Sequence, residues 1–303
     1  MRIADGTAPV FSWNLVADFR EMWSYPFMVN AFRAGTIAAV VSATVGWFMV
    51  LRRQTFAGHT LSVVTFPGAS LAVLLGIPVV LGYFGACVTV ALLIAARPRV
   101  QGDTGGAEAA ITGTLQAFAL ACGFLFVTLY KGLLGGPQAL LFGSFLGITT
   151  TQVAVLAAVA TGVLAVLSLI GRPLLFASAD PAVAAARGVP VRLLGAVFLV
   201  LLGAAAAEAS QITGALLVLA LMVVPAAAAQ ELTANPALSL AIAVAIAVAC
   251  CWGGLVAAYY QPYPIGFFVT TIAFGVYVLV RLARAAATAV GRARRPHAAA
   301  AAS

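Results

Sequence analysis

Phe56-Ala-Gly-His-Thr-Leu-Ser-Val-Val-Thr-Phe-Pro-Gly-Ala-Ser-Leu-Ala-Val-Leu-Leu-Gly76 is greasy enough to enter a membrane, yet it carries a histidine, two threonines, two serines and a Pro67-Gly68 pair. A helix that only faces lipid has no use for such residues. Unpaired polar groups at membrane depth cost several kcal/mol each, and irregular backbone is tolerated there only where protein or a water-filled cavity covers it. The stretch is therefore expected to line a path for a polar solute, with a helix break at Pro67 and Gly68. His59 is one of only two histidines; the other, His297, falls in the last few residues.

The surroundings support a membrane reading. The chain has 303 residues, 63% of them hydrophobic and 8% charged, with mean hydropathy +1.10. Soluble domains carry about 25% charged residues, so this chain cannot cover a water-facing surface. The net charge of +8 and pI near 9.9 do not indicate nucleic acid, because the basic residues sit at the ends of apolar runs, where they set orientation. The first 28 residues lack the apolar core of a cleavable signal and contain Asp5, Asp18, Arg20 and Glu21. The four cysteines, Cys87, Cys122, Cys250 and Cys251, lie inside apolar runs without CxxC spacing. They read as packing residues rather than as disulfides or a metal site.

Nine apolar runs approach the roughly 20 residues that a span needs: 30–51, 65–81, 81–96, 109–130, 151–170, 193–209, 213–229, 237–259 and 265–282. Eight or ten crossings stay open. The expected fold is all-α: a polytopic bundle of about nine transmembrane helices (30–283), preceded by an interfacial segment (1–29) and followed by a disordered Ala/Arg-rich tail (284–303) that can touch anionic lipid. With the amino terminus outside, Arg52, Arg53, Arg97, Arg99, Arg172, Arg187, Arg192, Arg281, Arg284, Arg292, Arg294 and Arg295 face the cytoplasm. Arg2, Arg20, Arg33 and Lys131 are left outside. The positive-inside rule selects that orientation in the cell membrane. Residues 133–150, broken by glycines and Pro137, are expected to form an outer loop with a short or re-entrant helix.

The polar segment 171–192 holds Ser178-Ala-Asp-Pro-Ala-Val-Ala-Ala-Ala-Arg-Gly188. Ser178 or Asp180 suits a helix cap, Pro181 the first helical position and Gly188 the stop. The pattern predicts a cytoplasmic helix of about two turns, either a docking element or a plain connector.

Gly58-His-Thr-Leu-Ser62 with Phe66-Pro-Gly-Ala-Ser-Leu-Ala72 resembles the signature that follows the first span in permeases of metal-transporting ABC importers, the zinc, manganese and iron uptake systems. Glu108-Ala-Ala-Ile-Thr-Gly113, Asp180-Pro-Ala-Val-Ala-Ala-Ala-Arg-Gly-Val-Pro190 and Thr213-Gly-Ala-Leu-Leu-Val-Leu-Ala-Leu-Met-Val-Val-Pro225 follow in the family's order. The chain departs from the family at Val63, where many relatives carry a second histidine four residues after the position of His59.

The resemblance implies two permease copies around one pathway, a soluble metal-binding protein docking outside, and a separate cytoplasmic ATP-binding subunit. The segment around Asp180, Pro181, Arg187 and Gly188 would couple to that ATPase. No GxxxxGK[ST] loop is present, so the chain is read as a transport subunit and not an enzyme, with ATP used by the partner. No permanently bound cofactor is expected; a divalent metal ion is the cargo.

A divalent cation sheds water only where oxygen or nitrogen ligands replace it. His59, Ser62, Glu208, Gln211 and Thr213 are the candidate pathway residues, with His59 a transient metal ligand. Glu208, at the end of the sixth run, reads as a cation attractor, a docking contact or, most plainly, a solvated loop carboxylate. Pro225 is expected to kink the seventh span and free a carbonyl, and Glu231 to pair with an arginine or face the ATPase. Two rival functions stay open: a permease for metal chelates such as siderophores or a cobalamin-like ligand, and a self-contained secondary carrier. The latter needs an intramembrane carboxylate, and none is expected well inside a span.

Overall fold

The computed structural model describes residues 15–96, 106–130, 141, 143, 147–215, 218–261 and 263–294. These residues are helical, with no strand among them. The helices are α1 (Leu15–Trp23), α2 (Pro26–Leu51), α3 (Thr55–Leu75), α4 (Val79–Ala95), α5 (Gly106–Leu129), α6 (Thr150–Ala179), α7 (Pro181–Ala186), α8 (Val191–Thr213), α9 (Val218–Leu232), α10 (Pro236–Tyr260) and α11 (Ile265–Arg294). Seven are long and apolar enough to cross a membrane: α2, α3, α5, α6, α8, α10 and α11. The apolar helices α4 and α9 are shorter, at 17 and 15 residues.

Small residues let α2 sit at the centre of the bundle, against α6, α8, α9 and α10. Gly35 admits Cys251 and Leu255 of α10, and Gly46 lies against the Met222 carbonyl of α9. Such close approaches hold membrane helices together where no hydrophobic drive is available. A second group forms around α3, which packs on α4, α5 and α8. There Gly68 and Gly82 face one another so closely that a Cβ on either would lie 2.3 Å from the other's carbonyl oxygen.

The contacts also give direction. Asn30 Nδ2 at the start of α2 donates to the Ile148 carbonyl just before α6 (3.1 Å), and Arg52 Nη1 just after α2 donates to Ser178 Oγ near the end of α6 (3.1 Å). These two helices therefore run parallel. Phe56 near the start of α3 approaches Gly113 of α5, and Phe66 packs on Gly123 further along, so α3 and α5 are parallel as well.

Two expectations change. The Pro67-Gly68 pair does not break its helix: α3 continues from Thr55 to Leu75 with Pro67 inside it, and ends at Gly76, whose φ of +69° is the left-handed stop. Pro67 removes the backbone donor that the Val63 carbonyl would otherwise take, while the hydroxyls nearby bond other carbonyls of the same helix. Ser62 Oγ donates to Gly58 O and Thr65 Oγ1 to Ser62 O, at 2.9 and 2.6 Å. Neighbouring helices cover the pair, and proline is tolerated in membrane helices under those conditions. Pro225 likewise sits buried inside α9. Second, α11 is helical to Arg294, beyond the point where the tail was expected to lose structure. The leader contains α1, with Trp23 stacked on Phe32 at 5.4 Å. Most of the expected outer loop, and the tail from 295, lie outside the described residues.

Candidate functional site

All five candidate pathway residues occupy two helices that pack on one another, α3 and α8, within or near their buried faces. His59 lies one turn into α3 and is half-buried. Its Nε2 is 3.3 Å from Nε2 of Gln116 on α5. With the amide as donor, the ring nitrogen accepts and Nδ1 carries the imidazole proton. Gln116 Oε1 in turn accepts from Thr60 Oγ1 at 3.2 Å. The amide thus orients the imidazole and is itself held by the next residue of α3. Gln116 was not among the expected residues. The signal was visible: it is an amide inside the apolar run 109–130, where a polar side chain needs a partner.

Ser62 is buried and donates its proton to the Gly58 carbonyl, which leaves its oxygen lone pairs as acceptors. Deeper along α3, Thr65 Oγ1 lies 3.0 Å from Ser210 Oγ of α8, a buried hydroxyl link between the two helices. Thr213 is buried and donates to the Ala209 carbonyl (3.1 Å). Gln211 is half-buried and lines a cavity of about 190 Å³ with Gln152, Ile148 and Ile212, where α6 begins and α8 finishes.

Glu208 departs furthest from expectation. Its residue exposure is 0%, and neither carboxylate oxygen has a hydrogen-bond partner. The reading of a solvated loop carboxylate is overturned. Glu208 lies within membrane-length α8, five residues before the helix ends at Thr213. The cause is local sequence. Ala204 to Ala207 and Ala209 give α8 a thin waist, so neighbouring helices close around its whole circumference.

These residues do not converge on one point. His59 and Ser62 sit near the end where α3 starts; Gln211 and Thr213 sit where α8 finishes. Among the described residues no three His, Cys, Asp or Glu side chains lie close enough to hold a metal ion. The arrangement is a set of separated polar stations along two packed helices, suited to brief contacts with a passing ion rather than to a closed cage.

At the α3-start end, Arg52 joins three elements. Its Nε is 3.2 Å from Gln54 Oε1, its Nη1 reaches Ser178, and its guanidinium lies 5.4 Å from the Phe198 ring centre on α8. Directly beyond Ser178, Asp180 Oδ1 accepts from the backbone N–H groups of Ala182 and Val183 at 3.0 Å, capping α7. Pro181 takes the first helical position, and Gly188 with φ +80° follows the stop. Both proposed caps find a place, but only Asp180 caps; Ser178 is bound to Leu174 and Arg52. Arg187 and most of α7 are exposed. At the end of α9, Glu231 pairs with Arg281 and Arg284 of α11, at 2.7 and 3.0 Å, which answers the choice left open for it.

Comparison with known proteins agrees with this layout. Residues 24–284 match the ABC 3 transport family. The manganese transport system membrane protein MntC of Halalkalibacterium halodurans is 28% identical over 242 residues, covering 80% of this chain and 82% of that protein. The manganese import system permease protein ScaB of Streptococcus parasanguinis is 30% identical over 219 residues, covering 71% and 76%. The solved structure of PsaBC from Streptococcus pneumoniae in complex with Fab has the same fold, with TM-score 0.78 at 22% identity over 88% of this chain and 95% of that one. Because the match spans nearly all the membrane helices, the chain belongs to the ABC 3 transport family.

Proposed function

We propose that the chain is the membrane permease of an ABC importer for a divalent metal ion, manganese before zinc or iron. The observation that carries this reading is the family match over residues 24–284, together with manganese-transport relatives aligned over most of their length. Nine apolar helices cross the membrane, α4 and α9 as short ones, with the amino terminus outside. Two copies enclose the path, a metal-binding protein delivers cargo outside, and a separate ATP-binding subunit drives the cycle. Family membership decides against a self-contained carrier. Val63 keeps a chelate permease as the second reading.

In this reading α7 docks on the ATPase through its exposed face around Pro181, Arg187 and Gly188, with Asp180 holding it folded. Arg52, bonded to Ser178 and to Gln54 in the α2–α3 turn, links the neighbourhood of α7 to the start of α3, where His59 lies. Asp180→Ala removes the cap and costs the helix about 1 kcal/mol. Cargo-stimulated ATPase activity of the reconstituted complex is expected to fall while the unstimulated rate persists. Unchanged assembly and unchanged rates would make α7 a plain connector.

For cargo, His59→Ala is expected to lower manganese uptake by cells carrying the whole system about tenfold, as loss of roughly 1.4 kcal/mol of interaction does. Gln116→Leu acts in the same direction and less strongly. Undiminished manganese uptake by His59→Ala would take the imidazole off the path. Uptake of a ferric chelate but not of free manganese by the unaltered protein would favour the second reading.

A further inference from the structure

Both α6 and α10 pack on α2, and between them they leave a cavity of about 430 Å³. Trp47 and Phe48 form its floor, Leu164 and Leu167 one wall and Leu240 the other. The two hydroxyls that reach it ask for nothing: Thr44 donates to the Val40 carbonyl and Ser168 to that of Ala165, both at 2.7 Å. The Trp47 indole N–H is likewise satisfied by Ser239 Oγ at 2.9 Å. The slot is therefore apolar and dry by chemistry.

Its lip is different. Arg172 lines the opening, is exposed, and pairs with no carboxylate among the described residues. It stands seven residues before the end of α6, about 10 Å at 1.5 Å per residue, at the end of the bundle that also gathers Arg52, Arg53, Arg187 and Arg192. In the proposed orientation this is the cytoplasmic end, where headgroups lie. The start of α10, at Pro236, opens on the same cavity and adds the positive end of a 25-residue helix.

We propose that this cleft binds one anionic phospholipid, with an acyl chain in the slot between α6 and α10 and its phosphate on Arg172. An apolar slot fits a chain and no soluble ligand. An unpaired guanidinium at its mouth favours a lipid with net negative charge, as basic pockets between membrane helices do on the cytoplasmic side. The site is independent of the cargo.

The test uses full-length protein in nanodiscs containing phosphatidylglycerol and phosphatidylcholine, transferred to mild detergent and read by native mass spectrometry. The unaltered chain is expected to retain phosphatidylglycerol in preference to phosphatidylcholine. Arg172→Gln lowers that retention about fivefold. Arg192→Gln, at the same depth but away from the cleft, leaves it unchanged. Gly171→Leu provides a second variant: a Cβ there meets only Phe48 Cζ at an ordinary 3.8 Å, so the longer side chain fills the slot and displaces lipid without disturbing the helix. Equal retention by all four proteins, or equal losses for Arg172→Gln and Arg192→Gln, overturns the proposal. A Gly171→Leu spectrum in which permease dimers vanish while lipid stays bound also overturns it, because the cleft would then belong to a second copy.

Discussion

Gly46→Ala and Gly68→Ala are each expected to lower the unfolding free energy of the purified chain by about 3 kcal/mol, the upper end of the cost of overpacking. A methyl at 46 would lie 2.1 Å from the Met222 carbonyl oxygen, and one at 68 would lie 2.3 Å from that of Gly82. The obstructing atoms are backbone, so no rotamer change relieves them and the helices must move apart. Separation costs dispersion contacts along the whole seam, which is what holds helices together in lipid. Gly85→Ala and Gly162→Ala are the controls. Nothing lies within 4 Å of a Cβ at either, and replacing a helical glycine by alanine contributes up to about 1 kcal/mol of stability. Opposite signs for the two pairs, measured by denaturation in detergent, confirm that α2–α9 and α3–α4 are in backbone contact. Equal effects at all four positions would mean that the helices are not that close.

The fold was legible where the argument was local. Apolar runs located the helices, and Asp180, Pro181 and Gly188 marked α7 at both ends because caps and stops depend on their immediate neighbours. The polar face of α3 was readable too, since a histidine and hydroxyls inside a greasy run demand partners. Where neighbours decide, reading along the chain failed. Pro67 was expected to break α3, and its effect was set instead by the helices that cover it, with α4 packing on Gly68. The limits of α3 were misplaced for the same reason: residues 55–64 look like a polar approach to a span and are its first turns. Gln116 was overlooked because its partner, His59, is 57 residues away in sequence. Glu208 was misread because its exposure depends on how closely other helices approach the alanine-rich waist of α8.

That carboxyl gives the second large effect. Glu208→Met is expected to stabilise the chain and stop transport. Both oxygens are buried without a partner, and an unsatisfied buried polar group costs about 1–3 kcal/mol; a methionine of similar volume removes the cost and keeps the packing. A sequence that retains such a group against its stability has a use for it in another state. Rocking of α3 against α8, across the Thr65–Ser210 link, would open the carboxyl to water and to a cation, then close it again. Glu208→Gln separates the two effects. It keeps the shape and the unpartnered polar atoms, so stability stays near that of the unaltered chain, but it cannot offer a negative charge, so manganese uptake falls as it does for the methionine variant. If Glu208→Met lowers the unfolding temperature instead, the carboxyl is hydrogen-bonded in the working protein. If Glu208→Gln transports at the normal rate, the charge takes no part in conduction, and the polar stations of α8 reduce to Gln211.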